Sequence, residues 1–430
     1  MVTLKTAENA LKTVYLGVVS DQINTKANPL LTKIKQTTSD VWGKEVVKLA
    51  PYSLTNGFGA GDETGELPQA GSNKYAQFRA ELKNLYGKIE LSDKAIRASQ
   101  SSSGAFVNLL NSEMEGLVKA STYNLGRMLF GDGTGKLAQD VSLLLGMNHI
   151  APQNINNFYE GMVCEFFPYI KLQDVIVTTN SELRTVTMVD RINGVVYFND
   201  TLPQFAESND YCVVMKNCLN KEILGLEAIF GNSETLYGVD RENNAWMKPF
   251  NKENAGSISD VQIQEAIDFL DEAYGSDVDY ICCASNVKRL YQDYLSSFRR
   301  NIDYMELTGG FKAMSYGGIP IVSDRFVKKG DMFLLNTKEF NLHQLCDWTW
   351  LEGDDGRILK QNAGYPTYSA TLVKYAELIC DKPAGQAKIS GIVASGNNAI
   401  DEIASNTKTI AEKSEQFVTD YEIVNIEKLS

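Results

Sequence analysis

The chain has 430 residues, 43% of them hydrophobic, and a formal net charge of −13 at pH 7. A chain of this length and composition can hold two or three domains with buried cores, so disorder of the whole chain is excluded. The negative charge excludes a broad nucleic-acid-binding surface, because such a surface depends on clustered Lys and Arg. The negative charge does not exclude a protein that encloses nucleic acid, because an acidic wall does not adhere to phosphate groups.

The sequence shows no sign of export or of membrane insertion. The N-terminus lacks the continuous apolar run and the small-residue cleavage site of a signal peptide. No later window approaches the roughly 18 apolar residues that are needed to span a bilayer. We therefore expect a soluble protein that is made in the cytoplasm.

Residues 1 to 50 are predicted to form an N-terminal arm. Its first part places five apolar side chains at helical spacing: Leu4, Ala7, Leu11, Val14 and Val18. A polar connector with a turn signal at Asn28-Pro29 follows. The pattern indicates one amphipathic helix and then an irregular segment.

A glycine-rich acidic loop and a strand follow the arm. Residues 57 to 71 read GFGAGDETGELPQAG and hold too few apolar groups to offset their own ordering entropy. Residues 75 to 82 alternate as a half-buried strand does, and residues 85 to 91 continue on the opposite parity. The change of parity predicts a bulge or bend near Asn84. The loop is either a linker or a segment that a partner orders.

Residues 104 to 130 are predicted to form one long helix. Apolar side chains recur mostly at spacings of three and four, and Gly131 then ends the helix. At 1.5 Å per residue this helix is about 40 Å long. It is interpreted either as a buried core helix of an α+β domain or as a spine along which a flat subunit extends.

Residues 149 to 218 are predicted to form a small β-barrel inserted in a larger domain. Five short β-rich runs are separated by Asn, Gly, Ser and Pro: 158 to 164, 174 to 178, 185 to 189, 195 to 198 and 211 to 215. A barrel filled by its own side chains is favoured over a ligand-binding barrel.

The rest of the chain alternates between helices and strands. Residues 256 to 370 predict a mixed α/β core, whose first helix starts at a capping box, Ser259 to Gln262. Residues 371 to 395 are expected to return to the first domain. Residues 396 to 430 form a polar helical tail in this interpretation.

Motifs for catalysis are weak. The run Gly131 to Lys136 resembles a phosphate loop, but three residues separate its glycines instead of four and Leu137 follows the lysine. The acid pairs Asp354-Asp355 and Asp62-Glu63 lie in glycine-rich loops and are interpreted as solvated. We therefore predict no catalytic residues, no cofactor and no metal.

The cysteines and histidines support the same conclusion. The seven cysteines include no C-x-x-C pair, which favours reduced, buried thiols over disulfides or zinc ligands. The two histidines, His149 and His343, lie far apart without a nearby carboxylate pattern. Each is interpreted as structural.

Four stretches in this order resemble the major capsid proteins of tailed bacteriophages, which share the Hong Kong 97-like fold. Residues 72 to 99 resemble the extended loop of that family and residues 104 to 138 its spine helix. Residues 257 to 295 and 311 to 340 resemble the helix-strand-helix and later strands of its axial domain. The resemblance covers residues 1 to 395 and rests on the residue patterns of these stretches and on their order, not on a catalytic signature.

The resemblance implies an α+β fold with an inserted β-barrel. The implied divisions, in chain order, are an N-terminal arm 1–50, an extended loop 51–92, a peripheral domain with the spine helix 93–148, the inserted barrel 149–218, a peripheral return 219–255, an axial domain 256–370, a peripheral strand 371–395 and a C-terminal tail 396–430.

The resemblance also implies a shell protein of the virion. Hexamers and pentamers of the chain are expected to enclose double-stranded DNA without sequence-specific binding. The expected partners are a separate scaffolding protein, a portal protein and a decoration protein. The side chains expected to contact neighbouring subunits are Phe58, Tyr75, Phe78, Leu82, Leu85, Tyr86, Leu4 and Leu11.

Three alternatives remain open at this stage. An encapsulin-type nanocompartment shell shares the implied fold and stores cargo enzymes instead of DNA. A tail-tube or sheath protein also associates with itself, but in rods or rings. A surface protein that binds or hydrolyses carbohydrate through its β-barrel belongs to another class, and the absence of a convincing acid pair counts against it.

Overall fold

The computed structural model describes residues 28–394 apart from residues 54, 56, 62, 64–65, 67–68, 95–102, 143–146, 171–174, 206–209, 298–303, 308–310 and 354–355. The predictions for the first part of the arm and for the C-terminal tail lie outside the described residues. The chain divides into two compact units: the first is Met1–Pro249 with Asn336–Gln386, and the second is Phe250–Leu335 with Ala387–Ser430.

Helices and strands are labelled in chain order. Those of the described residues up to Pro249 are β1 Lys35–Thr37, β2 Val41–Trp42, β3 Glu45–Ser53, β4 Lys74–Glu81, β5 Lys83–Ser92, α1 Ser103–Leu129, β6 Lys136–Ser142, β7 His149–Ile150, β8 Val163–Ile170, β9 Val175–Ile176, β10 Glu182–Asp190, β11 Val195–Phe198, β12 Asp210–Met215, α2 Leu226–Phe230, β13 Thr235–Leu236 and β14 Val239–Asp240. Those that follow are β15 Phe250–Lys252, β16 Gly256–Ser257, α3 Asp260–Tyr274, β17 Tyr280–Cys283, α4 Ser285–Ser297, β18 Tyr304–Leu307, β19 Phe311–Tyr316, β20 Ile319–Ser323, β21 Met332–Leu335, β22 Phe340–Trp350, β23 Lys360–Gln361, β24 Thr367–Cys380, β25 Ala387–Ile389 and β26 Ile392–Val393.

A sheet built around β24 forms the centre of the first unit. Its order is β1-β22-β24-β23, and β5 also pairs with β24 from Lys83↔Ala376 to Thr367↔Ser92. From Asn84 to Ser92 the residues of β5 alternate between exposed and buried, so one face of this strand packs inward and the other meets solvent. The strand approaches α1 closely, since a Cβ on Gly87 would lie 2.6 Å from Leu117 Cδ1.

A smaller sheet, β2-β3-β4, precedes β5 in the same unit. Its antiparallel register pairs Val46 with Ala80, and both side chains are buried. The predicted bend is present, two residues before Asn84: Leu82 interrupts the strands, and its N–H donates to Lys44 O at 2.9 Å. The two runs of opposite parity are therefore two strands that belong to different sheets.

The inserted strands form a third sheet in the first unit, in the order β6-β12-β8-β10-β11-β7 with β9 beside β8. This sheet begins at Lys136 and not at residue 149, because β6 pairs with β12. The buried cluster on its inner face includes Phe158, Phe166 and Val213. Among the described strand pairs none joins β6 to β7, so closure into a barrel stays a prediction.

The second unit contains a sheet in the order β15-β25-β21-β17-β20-β19-β18 with the helices α3 and α4. All four residues of β17 are buried, as expected for a central strand. The predicted capping box is not formed. Ser259 is the N-cap of α3 without a side-chain cap bond, and Gln262 Nε2 donates instead to Ala255 O at 2.7 Å.

The boundaries of the second unit differ from the predicted axial range of 256 to 370. The unit starts at Phe250, and residues 336 to 386 belong to the first unit. The physical reason is strand pairing, since β22 and β24 pair with each other and β24 pairs with β5. Alternation of helices and strands does not reveal which sheet a strand joins.

Candidate subunit interaction surface

The β3–β4 hairpin carries an exposed apolar face. The register places Leu49 opposite Gln77 and Pro51 opposite Tyr75, on the side away from the buried Val46. Leu49 is 63% exposed and Tyr75 is 55% exposed. Trp42 of β2, which is 73% exposed, pairs with Glu45 on the same side. We call Trp42, Leu49, Pro51 and Tyr75 the outer hairpin face.

Aromatic side chains cover the opposite, inner side of the hairpin. Phe78 is fully buried, with its ring centroid 5.6 Å from that of Tyr237 and 6.0 Å from that of Trp246. The Tyr52 ring stacks on Trp246 at 5.1 Å with an interplanar angle of 7°. The residues that cover the hairpin come from the segment between α2 and β15. Aromatic packing of this kind fixes the orientation of the hairpin.

Polar contacts add to this attachment. Lys48 Nζ lies 2.6 Å from Asp381 Oδ2, which also accepts a hydrogen bond from Asn341 Nδ2 at 2.9 Å. The backbone N–H of Arg79 donates to Tyr237 O at 2.9 Å. The base of the hairpin is therefore fixed to the rest of the first unit, and residues 54 to 73 form the loop that joins its two strands.

The described part of that distal loop is highly exposed. Phe58 is 94% exposed, which is unfavourable for a phenylalanine in water. A Cβ on Gly57 would lie 3.1 Å from Gly71 N, so the outgoing and returning chains lie side by side at this point. Together with the outer hairpin face, Phe58 gives the hairpin apolar groups that a second protein surface would bury.

A second exposed surface lies on the sheet around β24, on the solvent side of β5. Tyr86 is 62% exposed, and its ring meets Tyr375 edge to face at 6.5 Å. Lys88 and Glu90 follow on the same side of the strand, 3.5 Å apart. The hydrogen bond with Thr367 is the main cause of a lowered pKa at Glu90. This surface mixes aromatic and charged groups, as interface rims do.

The side chains predicted to contact neighbouring subunits have different positions in the structure. Phe58, Tyr75 and Tyr86 are exposed. Phe78, Leu82 and Leu85 are 0%, 7% and 8% exposed, so they are buried by their own chain and offer no contact surface. Leu4 and Leu11 lie outside the described residues.

Sequence reasoning missed Trp42 and Leu49. The sequence pattern around Leu49 is ambiguous. Residues 45 to 50 read EVVKLA, so apolar side chains occur at both odd and even positions and would lie on both faces of a strand. Alternation therefore did not distinguish the buried Val46 from the exposed Leu49. Only the pairing of β3 with β4 separates the two faces.

The cysteines and histidines do not form a reactive site among the described residues. Cys164, Cys212, Cys282, Cys283 and Cys380 are buried, as predicted for these five. Burial raises the pKa of the Cys164 thiol to about 12, so it is a poor nucleophile at neutral pH. His343 is buried, with Nδ1 2.9 Å from Ser39 O. The described residues contain no group of three or more His, Cys, Asp or Glu able to hold a metal ion.

Among the described residues, no helix is both long enough and apolar enough to cross a bilayer.

Comparison with known proteins gives a structural match without a sequence match. No family model matches the chain, and no curated protein matches its sequence. Its structure is similar to the capsid asymmetric unit of cyanophage A-1(L), with a TM-score of 0.51 and 11% sequence identity. That match covers 88% of this chain and 93% of the cyanophage chain.

Two further similar structures have lower scores. The holo-SrpI encapsulin complex from Synechococcus elongatus matches with a TM-score of 0.45 and 8% identity, covering 86% of this chain and 90% of that one. The procapsid of satellite phage P4, which includes a size determination protein, matches with a TM-score of 0.44 and 9% identity, covering 88% and 97%.

The chain has the α+β Hong Kong 97-like fold of capsid shell proteins. The long helix expected from the sequence resemblance is present as α1, Ser103–Leu129. The resemblance to major capsid proteins of tailed phages is therefore confirmed at the level of the fold.

Proposed function

We propose that the chain is the major capsid protein of a tailed bacteriophage. Copies of it form hexamers and pentamers of an icosahedral shell that encloses double-stranded DNA, and the chain acts as a structural protein and not as an enzyme. The observation that carries this proposal is the fold shared with the cyanophage A-1(L) capsid chain over 88% of this chain. Its final location is the capsid of the virion.

The outer hairpin face supports assembly with copies of the same chain. Trp42, Leu49 and Tyr75 are each more than half exposed although the same hairpin is firmly packed on its inner side. Burying apolar surface stabilises by about 25 cal/mol per Å². In this proposal residues 51 to 92 act as the extended loop, and the outer hairpin face with Phe58 and Tyr86 contacts neighbouring subunits.

The charge of the chain fits a DNA container. A net charge of −13 disfavours a wall that adheres to phosphate groups, so packed DNA is held by confinement and not by sequence-specific contacts. A separate scaffolding protein, a portal protein and a decoration protein complete the proposed set of partners. The divisions into arm, peripheral domain and axial domain are part of the same proposal.

Negative-stain electron microscopy of the purified chain tests the proposal. The chain is expressed alone and together with the proposed scaffolding protein, and closed shells or hexamer sheets are the expected result. A monodisperse monomer under both conditions contradicts it. Rods or rings identify a tail protein instead.

The nucleic acid content separates the phage proposal from the encapsulin alternative. Shells purified from infected cells are expected to contain double-stranded DNA that nuclease does not degrade. Shells that hold a co-purifying enzyme and no DNA assign the chain to the encapsulin class.

A further inference from the structure

The sheet inserted between Lys136 and Met215, here called the insert, contacts the C-terminal half of α1. The single proton of the Tyr123 hydroxyl is shared between the backbone carbonyls of Asn156 and Phe158, and the oxygen of Phe158 lies 3.2 Å from the hydroxyl. Its ring meets Tyr159 edge to face at 5.3 Å. Phe158 is fully buried in the core of the insert. A side chain of the long helix is therefore bound to a segment that the insert core holds in place.

The entry and exit of the insert lie side by side next to the end of α1. Lys136 and Val214 are Cα partners in the pairing of β6 with β12. Just before the entry, a Cβ on Gly135 would lie 2.7 Å from Cys218 O. The N–H of Asn220 donates to Thr134 O at 2.8 Å. The two ends of the insert therefore lie together at its base.

A buried ion pair joins this base to the helix. Arg127 donates two hydrogen bonds to Glu222, with Nη1 to Oε2 at 2.9 Å, and the two side chains are 5% and 3% exposed. Three residues later a Cβ on Gly225 would lie 2.3 Å from Met128 O. The segment that leaves the insert is thus packed directly against the last turn of α1, and a buried charged pair of this kind has a defined geometry.

The sheet around β24 contacts α1 nearer the middle of the helix, through Gly87 of β5. At Gly87 a Cβ would lie 2.6 Å from Leu117 Cδ1 and 3.3 Å from Ser121 Oγ. From Ser121 to Leu129 the helix continues for about 12 Å at 1.5 Å per residue. Residues Leu125 to Phe130 are nonetheless all buried. In this C-terminal half, Tyr123 contacts the insert at Phe158, and Arg127 contacts Glu222 in the segment that follows the insert.

We propose that the insert is an intramolecular brace that holds the C-terminal half of α1 to the first unit. In this role the insert stabilises the subunit itself: Tyr123 contacts the insert directly, and the Arg127–Glu222 pair holds the segment that follows the insert against the helix. A loop inserted only for display would need no contact with the helix beyond its two ends. The inference concerns the free chain and does not depend on the proposed shell.

Hydrogen exchange of the full-length monomer tests the brace. The substitution Tyr123→Phe removes the hydroxyl whose proton Asn156 and Phe158 share and keeps the ring. We expect amides of residues 123 to 130 to exchange about fivefold faster, because the one hydrogen bond that this hydroxyl donates, worth about 1 kcal/mol, is lost. Tyr365→Phe, at a side chain that is 69% exposed, is the matched control and leaves these rates unchanged.

A deletion gives a second, independent measurement. Residues 137 to 213 are replaced by an Asn-Gly turn, which joins two adjacent antiparallel strand ends with little strain. The expected product has a folded sheet around β24 and loses exchange protection in residues 123 to 130. If this variant does not fold, the Tyr123→Phe measurement decides. Unchanged exchange of residues 123 to 130 in Tyr123→Phe, or in a folded deletion variant, overturns the proposal.

Discussion

Lys48 Nζ lies 2.6 Å from Asp381 Oδ2, and this ion pair joins the base of the β3–β4 hairpin to the end of β24. The two side chains are 24% and 22% exposed, so the pair is only partly screened by water. It acts beside the stacked rings of Tyr52 and Trp246 on the inner side of the hairpin. Polar and aromatic contacts thus fix the same strand at two positions.

Lys48→Met is expected to loosen the hairpin without unfolding the chain. The loss of a partly buried ion pair costs about 1 kcal/mol, and Asp381 keeps its bond from Asn341. Urea unfolding measures the cost, and hydrogen exchange of residues 45 to 53 locates it. Lys44→Met is the matched control, because the Lys44–Glu81 pair is 3.6 Å long and mostly exposed. Equal effects of the two substitutions contradict the assigned role of Lys48.

The double substitution Trp42→Glu with Leu49→Glu is expected to prevent shell assembly. Both side chains are more than 60% exposed in the chain, so the melting temperature of the monomer stays within a few degrees, whereas two charges in a subunit interface are costly. Electron microscopy and light scattering measure assembly. The control pair is Ile192→Glu with Val261→Glu, at side chains that are 96% and 72% exposed. Normal shells from the hairpin variant rule out an interface at the outer hairpin face.

Gly225→Ala is expected to destabilise the first unit by at least about 2 kcal/mol. Its Cβ would lie 2.3 Å from Met128 O and 2.6 Å from Leu129 O, which are backbone atoms that cannot turn away as a side chain does. Thermal unfolding measures the loss. Gly116→Ala is the control in the same region: it is an exposed helical position with nothing within 4 Å of the new Cβ. It should stabilise by about 0.5–1 kcal/mol.

Glu377 is expected to make the protein less stable as the pH rises. It is fully buried, accepts hydrogen bonds from Leu224 N at 2.7 Å and Leu378 N at 3.0 Å, and burial raises its pKa to about 8. The unfolded chain releases this proton near pH 4.5, its ordinary value, so between about pH 4.5 and 8 the folded state binds more protons than the unfolded state. Its contribution to stability therefore falls across this window, by up to about 1.4 kcal/mol per pH unit.

Urea unfolding at a series of pH values in the wild type and in Glu377→Gln measures this slope. The glutamine variant is expected to have a flatter profile across the window. Glu90→Gln is the control, since a lowered pKa at Glu90 affects stability only on the acid side, as the pH falls through that pKa. Parallel profiles for wild type and Glu377→Gln would show that Glu377 is ionised in the folded protein at neutral pH.

Local patterns predicted several elements closely. The helix expected over residues 104 to 130 is α1, Ser103–Leu129, because apolar spacing and the following glycine are local signals. The strands expected from 75 to 82 and 85 to 91 are β4 and β5, displaced by a residue or two. Such elements depend on hydrogen bonds and side-chain periodicity within a few residues, which a sequence contains completely.

Local patterns did not predict which strands pair over long distances in the sequence. The predicted axial range of 256 to 370 contained β22 and the first four residues of β24, yet both strands belong to the first unit. β5 pairs with β24 across nearly 280 residues of sequence. No local signal specifies such a partner, because any strand of suitable length and alternation offers the same backbone hydrogen bonds.

The candidate surface shows the same division between local and tertiary information. Alternation by itself determined that Tyr75 and Phe78 point to opposite faces of one strand, since side chains repeat every two residues. It gave no sign of which face would be covered. The tertiary structure decided that, because Tyr237 and Trp246, more than 150 residues further along the chain, pack on Phe78 and leave Tyr75 to solvent.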